Sequence, residues 1–375
     1  MLSYDLKPEL LESLQGLDSE LFLAFKKLES MSLHEKENIH RYARISMIGA
    51  STRIENALLT DSEIDWLDTI LTKDGKITAL EANRDLIENK LSKDRERSIE
   101  EVAGCRHLLL SIYEFPQDFF PLKESDIRGL HYQLMSPFKG AGPHIGTYKT
   151  QSNSVVEQNH ISGQTRTVFQ TANPGVITQT AMTDLVSWYN ENVKLTPWPL
   201  ALSCEFVFRF LAIHPFQDGN GRLGRGLMLL SLLQSHAPIL SHVIKYLSID
   251  RQIEKHKEEY YFVLNRCSDG KFSQAPSSYK ISYFLRFMIK MISEALKDID
   301  TYQNKYRAEQ NLSPSAARVL ASFRDNPEIR LTTKLIIEKT ALPRRTVGHA
   351  LSELQKLQLI QRYGKAAGVR YQITF

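Results

Sequence analysis

A chain of 375 residues and 43.0 kDa has room for two or three domains, each with a core of its own. Its 42% hydrophobic, 24% charged and 9% aromatic content excludes a wholly disordered, collagenous or disulfide-scaffold protein. The net charge of +4 hides an asymmetry, because residues 311–375 hold eleven Lys and Arg against four Asp and Glu. That concentration fits a nucleic-acid or acidic partner for the C-terminal segment.

The start, MLSYDLKPEL, carries no basic leader followed by an apolar stretch, and the longest apolar runs, such as Gly226 to Leu233, fall well short of the roughly 20 residues of a membrane helix. A cytoplasmic protein with no membrane partner is therefore expected. Cys105, Cys204 and Cys267 are odd in number, widely spaced and outside any zinc spacing, so they read as reduced structural thiols. From Leu10 to about Met135 apolar residues recur three and four apart, predicting a helical N-terminal region over residues 1–110 and a mainly helical core over 111–300. Within this stretch Ser51 and Glu55 are four apart and share a helix face. Between Pro137 and Pro174 several glycines punctuate short runs such as SNSVVEQ and TRTVFQ, predicting a loop and a small hairpin. Helical periodicity returns from Val176 to about Asp300, broken at Pro197, Pro199, Pro215, Pro238 and the polar stretch Ser268 to Ser278. The hydrophilic Asp298 to Leu312 reads as a helix end or linker before a third domain over 301–375. From Ser313 that domain reads as three short helices and a hairpin, with Val347, Leu351, Leu354 and Leu357 facing inward.

The chemistry is concentrated in HPFQDGNGRLGR, His214 to Arg225, between the apolar runs CEFVFRFLAI and GLMLLSLL. A glycine-containing turn that opens a helix aims several backbone N–H groups and the positive end of the dipole at one point, so Gly219, Asn220 and Gly221 are suited to cradling an anion. Arg222 and Arg225, one helical turn apart, can reach the same phosphate chain. Asp218 offers the hard oxygen that holds Mg²⁺ together with substrate phosphates. His214 is the group in the turn that titrates near neutrality, and so the natural general base.

The segment matches the signature HPFx(D/E)GN(G/K)RxxR at every fixed position, and on it the chain resembles Fic-domain proteins, mostly helical enzymes that transfer AMP from ATP to hydroxyl side chains. The resemblance implies that His214 takes the proton from a Ser, Thr or Tyr hydroxyl of a target protein or of the chain itself. It further implies that Asp218 holds Mg²⁺, and that Gly219, Asn220, Gly221, Arg222, Leu223, Gly224 and Arg225 bind the ATP phosphates. Tyr260 and Tyr261 resemble paired tyrosines of the adenine and ribose pocket. Gly146 to Lys149 and the following SNSVVEQ resemble a G-x-(aromatic)-R segment and a target-docking hairpin around Val155 and Val156, with Lys149 where arginine is usual. Ser51, Glu55 and Asn56 match the inhibitory motif (S/T)xxxE(G/N), which implies that Glu55 pairs with Arg225 and blocks productive ATP binding. Removal of AMP by the same glutamate is a known variation in such a family, and a homodimer is an open expectation.

The C-terminal segment resembles a winged helix-turn-helix domain, with Arg344, Arg345, Thr346 and His349 leading a helix into the major groove and Lys365 and Arg370 on the wing. Such domains also dock proteins. Two alternatives therefore stand beside the autoinhibited adenylyltransferase: a DNA-binding transcriptional regulator whose Fic core senses a nucleotide, and a Fic enzyme that uses another donor. The glycine at 221 favours a nucleotide donor, since relatives that transfer phosphate carry lysine there.

Overall fold

Proline at its first turn, where the missing N–H has no helical partner to lose, starts α1 (Pro8–Glu29), and Leu10, Leu14, Leu17, Leu21 and Leu28 form its buried stripe. Ser32 caps α2 (Leu33–Ile54) by accepting from the Glu35 N–H. From Ile45 to Thr52 every residue of α2 is buried, so this helix runs through the middle of the protein instead of lying on it. A capping box between Thr60 and Glu63 opens α3 (Asp61–Ile70). The chain continues through a short antiparallel pair, β1 (Thr72–Lys73) and β2 (Lys76–Ile77), then α4 (Arg84–Leu91), α5 (Glu96–Glu114) and α6 (Glu124–Met135). We describe a computed structural model that covers residues 1–73, 76–77, 80–91, 95–153, 155–158, 165–365 and 368–374.

The expected hairpin is β3 (Val155–Gln158) against β4 (Thr165–Phe169), antiparallel, with an irregularity between Val155 and Val156. It leads into α7 (Val176–Asn192), α8 (Pro199–Ile213), α9 (Asn220–Gln234), α10 (Pro238–Val243), α11 (Ile249–Lys255), α12 (Lys257–Ser268), α13 (Ser282–Leu296) and α14 (Asp298–Gln310). Helix α9 is buried on nearly every side and packs on α8 and α5, while α2 packs on α5, α11 and α14. One continuous core extends from Leu10 to Tyr302. The boundary expected at 110/111 therefore falls inside α5, whose Leu108, Leu109 and Ile112 belong to that same core, and the N-terminal helices are part of one body with the rest. The start expected at 301 likewise falls inside α14, because Tyr302 still packs in the large core.

A second, separate core begins at Ala316 and is built by α15 (Pro314–Arg324), α16 (Thr333–Thr340), α17 (Arg344–Lys356) and the antiparallel pair β5 (Ile360–Tyr363) and β6 (Arg370–Ile373). Leu331 bridges to Tyr371, adding a third short edge to the hairpin. Val347, Leu351 and Leu354 face inward as expected, but Leu357 does not: α17 stops at Lys356, Gln358 turns left-handed (φ 57°), and Leu357 is left 37% exposed. Charged side chains join the two bodies, with Glu309 of α14 accepting from the Tyr42 hydroxyl at 3.0 Å and pairing with Arg324 of α15 at 2.7 Å. The three cysteines are buried and unpaired. Among the described residues no helix is long and apolar enough to cross a membrane.

Candidate active site

Two left-handed residues shape the loop between α8 and α9. His214 ends α8 with φ 53°, an uncommon conformation for a residue with a side chain, and Gly219 (φ 79°) precedes α9. A Cβ at Gly219 would lie 2.9 Å from Met135 Sδ, so both conformation and space call for glycine there. The loop between them is pinned by side chains. Asn220 Oδ1 accepts from the Phe216 N–H at 2.9 Å, and its Nδ2 donates to the Phe216 carbonyl at 2.7 Å. His131, stacked on the Phe216 ring at 3.8 Å, accepts from the Gly146 N–H at Nδ1, which leaves Nε2–H to donate to the Asp218 carbonyl at 3.0 Å. Burial pushes the pKa of His131 down to about 4, keeping it in this neutral form.

The loop forms the wall of a cavity of about 350 Å³. Polar groups on its lining include His214, Asp218, Arg222 and Arg225, with Gly221 beside them, and apolar ones include Phe208, Leu211, Tyr261 and Leu264. The amides of Asn220, Gly221 and Arg222 stand in the first turn of α9, where the helix offers no carbonyl one turn earlier. First-turn amides beside two arginines are chemically suited to an anion, although Glu55, Glu101 and Asp218 share the same lining.

His214 is half-buried in this wall. Burial, with Lys149 adding to it, pushes its pKa down to about 4. Its Nδ1 lies 3.2 Å from the Leu211 carbonyl; a neutral imidazole that donates there keeps the Nε2 lone pair for a proton acceptor's role. The Asp218 carboxylate is 57% exposed and accepts from the Gly219 N–H at 2.5 Å. No group of three or more His, Cys, Asp or Glu arranged to hold a metal is present among the described residues. One hard oxygen beside an anion cradle fits a divalent cation that arrives with phosphates and keeps waters of its own.

Arg225 is 4% exposed, and two of its three nitrogens are engaged. Its Nε donates to Ser51 Oγ at 3.0 Å, and its Nη2 to the Ser51 carbonyl at 2.7 Å and Glu55 Oε1 at 3.0 Å. Asp250 Oδ2 lies 3.4 Å from Nε. Burial works against the Arg225 charge, yet the Glu55 and Asp250 carboxylates hold its pKa above the usual value. Burial also raises Asp250 to about 6, against the pull of Arg225. Glu55 leans over the cradle, so that a Cβ at Gly221 would lie 2.5 Å from its Oε1. Asn56 is left-handed (φ 73°) and accepts from Lys257 Nζ at 3.1 Å; its part is to end α2, which explains a motif restricted to Gly or Asn at this position. Arg53 anchors the same helix end, bonding Glu254 through Nε (2.7 Å) and Nη2 (3.0 Å) and Asp61 through Nη1 (2.7 Å).

The residues singled out in the sequence separate into those that meet at the cavity and those that do not. His214, Asp218, Gly219, Gly221, Arg222, Arg225, Tyr261 and Glu55 meet there. Asn220 lines it too, but its amide is spent on the loop, leaving its backbone N–H for a ligand. Leu223 is wholly buried in the core, and Gly224 backs onto Leu211 of α8, so neither faces the cavity. Tyr260 packs with Phe284 and Phe287 as a core ring and borders the cavity only in part. Val155 and Val156 pair with Phe169 and Thr167, and their side chains lie outside the described residues, as do Ser154 and residues 159–164. Sequence reasoning missed His131, Asp250, Asn153 and the Arg53 anchor, and no short motif marks them.

Residues 121–232, from just ahead of α6 to near the end of α9, match the model of the Fic/DOC family. Over 55 residues the chain is 36% identical to protein adenylyltransferase fic-1 of Caenorhabditis elegans, a stretch that spans 15% of this chain and 11% of that relative. In fold the chain is similar to a Fic family protein from Desulfovibrio desulfuricans (TM-score 0.55, 23% identity, 100% of this chain and 98% of that one). It is also similar to a Fic-domain signaling protein from Bacteroides thetaiotaomicron (TM-score 0.56, 22% identity, 78% of this chain and 96% of that one). The chain therefore shares the fold of Fic-domain proteins and carries their family segment.

Proposed function

We propose that the protein is an autoinhibited protein adenylyltransferase. The observation that carries this reading is the convergence, in one cavity, of a neutral imidazole, a helix N-terminus with two arginines, and a glutamate already seated on the second arginine. In the reaction, a target hydroxyl oxygen bonds to the α-phosphorus of ATP. The bond from that phosphorus to the α,β-bridging oxygen breaks, pyrophosphate leaves with the electron pair, and His214 Nε2 takes the hydroxyl proton. The first-turn amides of α9 and the Arg222 guanidinium hold the phosphates, and Asp218 would hold Mg²⁺, which when bound neutralises phosphate charge. Positioning and charge stabilisation supply most of the catalysis in phosphoryl-type transfers.

Inhibition rests on competition for Arg225. Glu55 occupies the guanidinium face that the end of a triphosphate needs, so ATP enters in a pose that does not present its α-phosphorus in line. The name of the curated relative, a protein adenylyltransferase, agrees with the transfer reading. For the C-terminal body we propose a winged helix that binds duplex DNA. Supporting it, Arg344, Arg345, Arg362 and Lys365 are exposed and make no ion pair among the described residues.

The test is incubation of wild type, Glu55→Gly and His214→Ala with α-labelled and γ-labelled ATP. Label retained on protein from the α position alone, strongest in Glu55→Gly, is the expected result. Label from the γ position alone means phosphate transfer. No label from either, with cell lysate supplied as target, leaves a nucleotide sensor.

A further inference from the structure

Lys149, which stands where the resemblance leads one to expect arginine, is 3% exposed and fully engaged. Its ammonium donates to Asn153 Oδ1 at 2.8 Å, Thr171 Oγ1 at 3.0 Å and the Ile213 carbonyl at 3.0 Å, three acceptors for three N–H bonds. A planar guanidinium does not match such a pyramidal set. The Lys149 N–H donates to the Pro215 carbonyl at 2.8 Å. Asn153 passes the connection on, its Nδ2 donating to the carbonyls of His214 (3.3 Å) and Phe216 (2.6 Å). Asn153 lies just before β3 and Thr171 just after β4, so the cage closes the root of the hairpin. Carbonyls of four residues in succession, Ile213, His214, Pro215 and Phe216, are thereby tied to it.

We propose that Lys149 is a positioning residue for His214, locking the backbone that presents the base to the root of the hairpin that holds the target. The inference rests on the transfer reading given above. The link has two parts, a mechanical one through Asn153 and the four carbonyls, and an electrostatic one in which a buried ammonium disfavours a second positive charge on the imidazole. Other charged groups face His214 as well: Glu55 from the end of α2, Asp218 from its own loop, Arg222 and Arg225 from α9, and Arg97 and Glu101 from α5 across the cavity. Glu55 and Asp218 pull its pKa upward and Lys149 pushes it down.

The experiment compares Lys149→Met and Lys149→Arg with their parent, all in the Glu55→Gly chain, by steady-state kinetics with MgATP and by NMR titration of the histidine rings, His214 being assigned through His214→Ala. Lys149→Met should lower kcat by about tenfold or more, as a misplaced base does, with KM for ATP within about twofold of the parent. Its His214 ring should protonate at a pH higher by about half a unit or more, since a like charge has been removed. Lys149→Arg keeps the charge and loses the fit, so kcat should fall while the His214 titration stays at the parent's position. A folded Lys149→Met with kcat within twofold of the parent, or with an unmoved His214 titration, overturns the proposal. Should Lys149→Met not fold, Thr171→Val removes one of the three acceptors and is expected to cost about threefold to tenfold in kcat; parental kcat in that variant overturns it equally. A parent that transfers nothing sinks the transfer reading, while the NMR titration still decides the coupling of Lys149 to His214.

Discussion

Charge is handled in opposite ways at the two functional regions. At the cavity and in the shell behind it, Arg225 on its lining, Asp250 against Arg225 and Lys149 beneath the His214 loop are each at most 4% exposed, and each is met by named partners at hydrogen-bond or ion-pair distance. On α17 and the β5–β6 hairpin, Arg344, Arg345, His349, Lys365 and Arg370 stand in water. Burying a charge is costly unless its partners are built in, so a cavity full of paired buried charges is a site whose geometry the fold maintains. Exposed charges carry no such cost, and on their own they specify attraction to an anion and little else. The first region therefore supports a specific proposal about chemistry, and the second supports only a proposal about the class of partner.

The largest expected break in the contrast is His214→Ala in the Glu55→Gly chain, which should lower transfer by about 10²–10⁴-fold, the usual contribution of a general base, and leave ATP affinity in place. Calorimetry alongside the rate assay checks both. With the base held neutral down to about pH 4, the acidic limb of kcat/KM in Glu55→Gly should lie well below the ordinary histidine range, and transfer should not fall between about pH 7.5 and 6 through protonation of His214. A limb centred near 6.5 would mean that burial does not govern His214. Arg53→Ala removes the anchor to Glu254 and Asp61, and should release the end of α2 enough to raise basal transfer by about tenfold, as loss of partly buried charge-assisted bonds does. The smallest effect belongs to the exposed face: duplex DNA affinity should fall as salt rises, and Arg344→Ala should reduce the slope of log affinity against log salt by about one. Salt-independent binding, or none, would leave α17 a protein-docking surface.

Much of this was legible in the sequence because the chemistry is local. His214, Asp218, the cradle glycines and both arginines lie within one turn and one helix, so their spacing reads directly as shared geometry. The pairing of Glu55 with Arg225 was available through a motif, although 170 residues separate them. The Lys149 cage reaches over 64 residues to Ile213, His131 over 87 to Asp218, and Arg53 over 201 to Glu254, and nothing in local periodicity encodes such contacts. Periodicity also misled at Leu357, which continues the apolar spacing of α17 one step past the point where Gln358 turns the chain left-handed. Membership of the motif alone places Leu223 and Gly224 in the expected binding set, whereas a helix presents only part of its circumference to a cavity. The continuity of the core across residue 110 was hidden for a different reason: domain limits depend on which apolar stripes meet, and a stripe on α2 does not say that it meets α5.

On the proposed function, Glu55, seated on Arg225, restrains an otherwise complete transfer site. Intact-mass spectrometry of wild type, Glu55→Gly and the Glu55→Gly, His214→Ala double variant after incubation with MgATP tests it most directly. Adenylyl adducts are expected on Glu55→Gly, few or none on wild type, and none on the double variant; equal adducts on wild type and Glu55→Gly would mean that Glu55 does not restrain transfer.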